Sequence, residues 1–241
     1  MSDAFSIVWK EWREVVGQRG LRGKSGILLT IAVFGGILPL QFGPEWVTRP
    51  GSAIVWAWVP MYLVMTVITD AFAGERERHT LETLLATRLS DRSILFGKVM
   101  AAIVYAGTIT IISLLLGVAT VNLMDNNDGV ILYDTDAVLQ MIVFGLLGAI
   151  LVAAAGVLIS LRSPTVRQAQ QTLGGAIVLA MIIPFVAGRL LPGEWKSAVA
   201  APANAGVLGI GLLVVLAAID VALLYVLIRR FNRSRLLTII S

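Results

Sequence analysis

The sequence predicts an all-α, polytopic membrane protein with six transmembrane helices and an amphipathic elbow helix ahead of the first. Three observations carry that prediction. Hydrophobic residues make up 57% of the 241 and charged residues only 14%, with a mean hydropathy of +0.86, whereas soluble domains carry roughly 25% charged residues. The apolar residues are gathered into six runs nearly free of charge rather than spread evenly, the pattern of a chain whose main solvent is lipid. Lys and Arg cluster on alternate connections between those runs, as they do when loops are sorted across a bilayer.

The six spans cover about 25–42, 53–73, 99–119, 139–161, 173–188 and 206–228. Most approach the ~20 residues needed to cross ~30 Å of hydrocarbon at 1.5 Å per residue. Backbone polar groups in hydrocarbon must bond within their own segment, so the spans are helices. The fifth is short and contains Pro184; it either borrows residues 166–172 or ends in a re-entrant turn.

Orientation follows from the flanking charge. The segment before the first span holds Lys10, Arg13, Arg19, Arg22 and Lys24, and the connection 74–98 holds Arg76, Arg78, Arg88, Arg92 and Lys98. Arg162 and Arg167 follow the fourth span, and Arg229, Arg230, Arg233 and Arg235 lie in the tail 229–241. The other side keeps only Arg49, Arg189 and Lys196, with an acidic loop at Asp125, Asp128, Asp134 and Asp136. Both termini are therefore expected in the cytoplasm. The net charge of +4 then matches anionic lipid headgroups and gives no patch for nucleic acid.

Within the cytoplasmic segment 1–24, Phe5, Val8, Trp9, Trp12, Val15 and Val16 recur at helical spacing, opposite Lys10, Glu11, Arg13, Glu14 and Gln18. Two tryptophans on the apolar face suit the membrane interface. The segment reads as an elbow helix lying on the leaflet, or as a plain anchor.

The connection 74–98 is the most informative stretch. Thr80 can cap a short helix whose first turn carries Glu82, favourable at the positive end of the helix dipole. Leu81, Leu84, Leu85 and Leu89 then share one face, and Ser90 or Asp91 can cap the helix that runs into the third span. The leucine face must be covered by bilayer or by another protein, and the stem Glu75-Arg76-Glu77-Arg78 beside it offers charge to a soluble partner. On these residues alone, a docking surface and a solvated hairpin both remain open.

The run Glu75-Arg-Glu-Arg-His-Thr-Leu-Glu-Thr-Leu-Leu-Ala-Thr, ending in Gly97-Lys98, resembles the cytoplasmic signature of the ABC type-2 export permeases, among them bacterial sodium-export and antibiotic-export permeases. Lys10-Glu11-Trp12-Arg13-Glu14 is similar to that family's opening segment, and the six-span layout and the Pro192 to Pro202 external segment match as well. Two positions depart from the pattern: His79 stands where the family usually has glycine, and Arg88 where it commonly has proline. The resemblance implies the membrane subunit of an exporter in the inner membrane, a homodimer working with two copies of a separate ABC ATPase subunit. It implies that 75–92 is a coupling helix docking on that ATPase, with Glu75, Arg76, Glu77, Arg78, Thr80, Leu81, Glu82, Leu84 and Leu85 at the interface. No cofactor is expected on this chain, and ATP and Mg²⁺ belong on the partner.

Enzyme classes find little to use here. There is no cysteine and only one histidine, His79, so thiolate, two-histidine metal and Ser-His chemistry have no residues within the spans. Gly23-Lys24-Ser25 looks like the end of a phosphate-binding loop, but the first glycine of that pattern falls on Gln18 and no strand precedes it. The motor must come from another chain. A non-transporting scaffold or sensor that recruits a cytoplasmic partner is the alternative, distinguished by whether a bound ATPase responds to substrate. An ion-coupled carrier would carry several intramembrane charges, and only Asp220 qualifies, with Asp70 at the end of a span.

Two further features bear on the spans. Gly145, Ala149 and Ala153 form a small-residue ladder suited to close helix contact. Asp220 lies about 12 Å inside the sixth span and must face protein or a polar path. It is either a structural carboxyl bonded to a hydroxyl such as Thr108, Thr110 or Ser113, or part of a translocation path.

Overall fold

A computed structural model of the chain describes residues 21–49, 52–80, 90–124, 129–190, 192 and 202–230, and among these there is no strand. The elements run α1 (Leu21–Ala32), a π-turn at Val33–Ile37, α2 (Leu38–Phe42), α3 (Glu45–Thr48), α4 (Ser52–Thr69), a second π-turn at Asp70–Gly74, α5 (Glu75–Glu77), α6 (Asp91–Met124), α7 (Thr135–Ser160), α8 (Val166–Leu190) and α9 (Pro202–Arg230). Among the described residues, four stretches are long and apolar enough to cross a membrane: Val55–Glu77, Asp91–Met124, Thr135–Ser160 and Gly209–Arg229. A shorter apolar helix covers Gly26–Phe42. The fifth apolar stretch of the sequence is part of α8, which begins at Val166 and so takes up the polar turn before residue 173.

Helix α4 sits at the centre. Its Trp56, Val59, Leu63, Val64, Val67 and Ile68 are buried against α6 (Ile94, Leu95, Val99, Ala102, Tyr105) and α7 (Met141, Val152, Val157). The tightest approach is α4 on α7, because α7 presents small residues there. A Cβ on Gly145 would lie 3.2 Å from Pro60 Cγ, one on Gly148 would lie 2.6 Å from Met61 Sδ, and Gly156 lies against Ile68. Ala149 and Ala153 continue the same buried face. With no hydrophobic force between helices in lipid, such backbone proximity supplies the packing attraction. Helix α9 packs chiefly on α7, and most of its surface is exposed.

Both π-turns free backbone groups, and a hydroxyl from a neighbouring helix receives them. Thr120 on α6 donates to Gly35 O at 2.8 Å. Ser160 on α7 donates to Thr69 O and accepts from Ala73 N, each at 2.9 Å. Within hydrocarbon such groups need a protein partner, so each π-turn fixes where its neighbour lies. At the far end of the bundle from the charged stem, Trp56 donates to the Tyr133 hydroxyl at 2.9 Å inside a cluster that also holds Phe34, Phe42 and Trp46. Burial pushes the Tyr133 phenol up to about 12, against the lowering effect of the Trp56 bond.

Candidate functional site

The charged stem starts where α4 leaves the packed core. Gly74 closes the second π-turn against the Asp70 carboxylate, at a position where a Cβ would overlap that group, so any larger residue would displace the Asp70 side chain. Four consecutive charges follow, and each turns to a different part of the chain.

Glu75 accepts from Lys98 Nζ of α6 at 2.8 Å. Lys98 is 2% exposed and Glu75 16% at their side chains, and the ammonium also sits 5.5 Å from the centre of the Phe72 ring. A pair this dry is held by Coulomb attraction that water barely screens, and loss of either partner removes that attraction from a buried charge. Arg76 donates to Leu161 O at 2.7 Å and Ser163 O at 2.9 Å, satisfying carbonyls that the end of α7 leaves without helical partners. Glu77 accepts from the Val166 N–H at 3.0 Å, a free donor in the first turn of α8 where negative charge is favourable. Arg78 reaches back to both oxygens of Asp70 at 2.8 and 3.1 Å. That last pair is exposed, with Arg78 61% accessible, and such pairs contribute little.

The stem ends in a two-bond helix stop. Thr80 N–H donates to Glu75 O at 2.9 Å and His79 N–H to Arg76 O at 3.1 Å, with His79 at φ 56°. This is the Schellman pattern, whose left-handed residue is most often glycine. The glycine that the resemblance led one to expect at 79 therefore has a backbone reason. Thr80 Oγ1 lies 3.3 Å from Glu75 O, so its hydroxyl is turned back to the stem. Ser90 does cap α6, accepting from Ser93 N at 3.1 Å.

Of the residues singled out in the sequence, Glu75, Arg76, Glu77, Arg78 and Thr80 are thus brought together. Leu81, Glu82, Leu84 and Leu85 lie outside the described residues, as do the elbow helix 3–18 and residues 231–241 of the tail. Gly145, Ala149 and Ala153 lie in the α4–α7 contact. Sequence reading missed Lys98 as a partner of Glu75. The available signal was that Lys98 falls on the same stripe as Ile94, Ala101, Ala102 and Tyr105, all buried; a cation on such a stripe must be paired. Ser160 and the carbonyls of Leu161 and Ser163 carried no signal at all.

Asp220 does not meet the hydroxyls considered for it among the described residues. It is 4% exposed, but neither carboxylate oxygen has a hydrogen-bond partner. The hydroxyls of Thr108, Thr110 and Ser113 each donate to the carbonyl four residues back, at 2.9, 2.7 and 2.8 Å, the usual fate of such side chains within a helix. Among the described residues there is no group of three or more His, Cys, Asp or Glu side chains able to hold a metal.

The family model described as ABC-2 family transporter protein matches residues 50–193, well over half of the chain. The match takes in α4, the stem, α6, α7 and α8. No curated protein matches significantly.

Proposed function

The chain belongs to the ABC-2 family of transporter proteins, and from that premise we propose that it is the membrane permease subunit of an ATP-driven exporter. Six spans place both termini in the cytoplasm of a cell with an inner membrane, and two copies form the path. A separate ATPase, in two copies, binds ATP and Mg²⁺ and docks on the connection 75–92. The observation that carries this reading is the stem. One short segment, at the start of the docking connection, is bonded to α6, to the end of α7 and to the start of α8.

A push on 75–92 would therefore reach four helices through polar bonds rather than through one flexible hinge. The stem charges act inside the membrane subunit, as the rigid joint between the ATPase and the spans. Leu81, Leu84 and Leu85, which follow the joint, supply the apolar contact with the ATPase, and Glu82 flanks it.

The test is co-purification from the cells that make the complex. The parent chain should bring an ATPase subunit whose turnover responds to cargo. Leu84→Ala with Leu85→Ala should lose that subunit while the membrane fold stays intact. Normal transport-coupled ATPase activity in the double variant would overturn the assignment of the docking surface, and absence of any ATPase from the parent complex would overturn the exporter reading.

A further inference from the structure

Asp220 is a buried carboxyl that has no hydrogen-bond partner among the described residues. Both oxygens are withdrawn from solvent and neither is hydrogen-bonded, and Lys98, the buried lysine of the core, is committed to Glu75. A carboxylate in that position is relieved by a proton or by a cation that comes from outside the chain.

The surroundings favour a particular cation. Leu212, Leu216 and Asp220 follow one another at four-residue spacing and so share a stripe of α9. The first two, with Trp58 and Met61 of α4 and Gln140 and Phe144 of α7, line a groove of about 340 Å³. That size lies at the lower end of the ~300–1,000 Å³ typical of small-ligand sites. Its lining is apolar except for the Gln140 amide and the Trp58 indole, and Asp220 stands one helical turn beyond Leu216. A divalent ion would need about six oxygen ligands, and Asp220 offers one carboxylate. An anion is excluded by charge, and a neutral lipid leaves the carboxylate as it was.

We propose that this groove binds an amphipathic amine, with its apolar body between α4, α7 and α9 and its ammonium on Asp220. Calling that ligand cargo rests on the exporter reading; the binding itself does not. The ammonium could be supplied by the headgroup of a membrane lipid or by a free long-chain amine, and the two are separable.

The experiment uses the full chain in phosphatidylcholine nanodiscs, whose lipid contains no primary amine. Three probes share one dodecyl tail bearing a photoreactive diazirine and end in an amine, an alcohol or a carboxylate. The amine should label peptides containing Met61, Phe144 or Leu212–Leu216 on the order of ten-fold more than the alcohol, as one added charge-assisted contact allows. Asp220→Asn should reduce amine labelling to the level of the alcohol, and Asp220→Glu should retain most of the preference. Loss of amine labelling when phosphatidylethanolamine is added to the discs identifies the lipid headgroup as the source; persistence identifies a free amine. If Asp220→Asn fails to fold, Leu212→Trp, which fills the groove, should lose labelling by amine and alcohol together. Equal labelling by amine and alcohol, a preference that survives Asp220→Asn, or undiminished labelling in Leu212→Trp would overturn the proposal. No ATPase enters this assay, so its failure is distinct from failure of the exporter reading.

Discussion

Glu75 and Asp220 are both carboxylates largely taken out of water, and the chain treats them in opposite ways. Glu75 meets a lysine at 2.8 Å, and the three charges after it are each bonded to another part of the chain. Asp220, more deeply buried, has no hydrogen-bond partner among the described residues. In the stem every charged side chain has at least one partner, although Glu75 Oε2 accepts no hydrogen bond, and a bonded polar cluster fixes the relative positions of the elements it joins. An unsatisfied group costs stability unless something outside the chain completes it. The first region therefore reads as a joint and the second as a place where a ligand belongs. That contrast separates residues whose loss damages the fold from residues whose loss damages function alone.

The largest effect is expected at the joint. Lys98→Ala leaves Glu75 buried without its cation and should cost about 3–5 kcal/mol, measured as unfolding of the purified chain in mixed micelles. Next comes the α4–α7 contact that supports both regions. Leucine at Ala149 forces apart helices that touch through Gly145 and Pro60, a loss of about 1–3 kcal/mol. Asp220→Leu should stay within ~1 kcal/mol of the parent, because no hydrogen bond is lost; a large loss there would erase the contrast. The smallest change sharpens the joint: His79→Gly should add about 1 kcal/mol by relieving a left-handed residue that bears a side chain, readable in the same unfolding assay.

The all-helical character and the positions of α4, α6, α7 and α9 were legible, because long apolar runs have one structural solution in lipid. Helix ends were less so. The start of α6 at Asp91 was legible from its Ser90 cap, but α8 begins at Val166, ahead of the apolar stretch that starts at residue 173. The π-turns at Val33–Ile37 and Asp70–Gly74 leave no periodic mark. The stem residues were identifiable from their pattern, but their partners were not. Glu75 and Lys98 are 23 residues apart in sequence, and Arg76 bonds to backbone carbonyls that any residue would present. Asp220 stood out as a lone intramembrane acid. The hydroxyls proposed for it lie on α6, whereas α9 packs chiefly on α7, and which helices neighbour one another is a property that composition does not record.

The most direct test of the joint is a double-mutant cycle between Glu75 and Lys98, using Glu75→Gln, Lys98→Met and the pair, read by unfolding free energy. If the stem is an internal joint, the double variant recovers much of what each single loses, with a coupling energy of about 2 kcal/mol or more. Effects that add to within ~0.5 kcal/mol, with both singles fully folded, would mean that Glu75 does not hold Lys98 and that the stem charges face a partner instead.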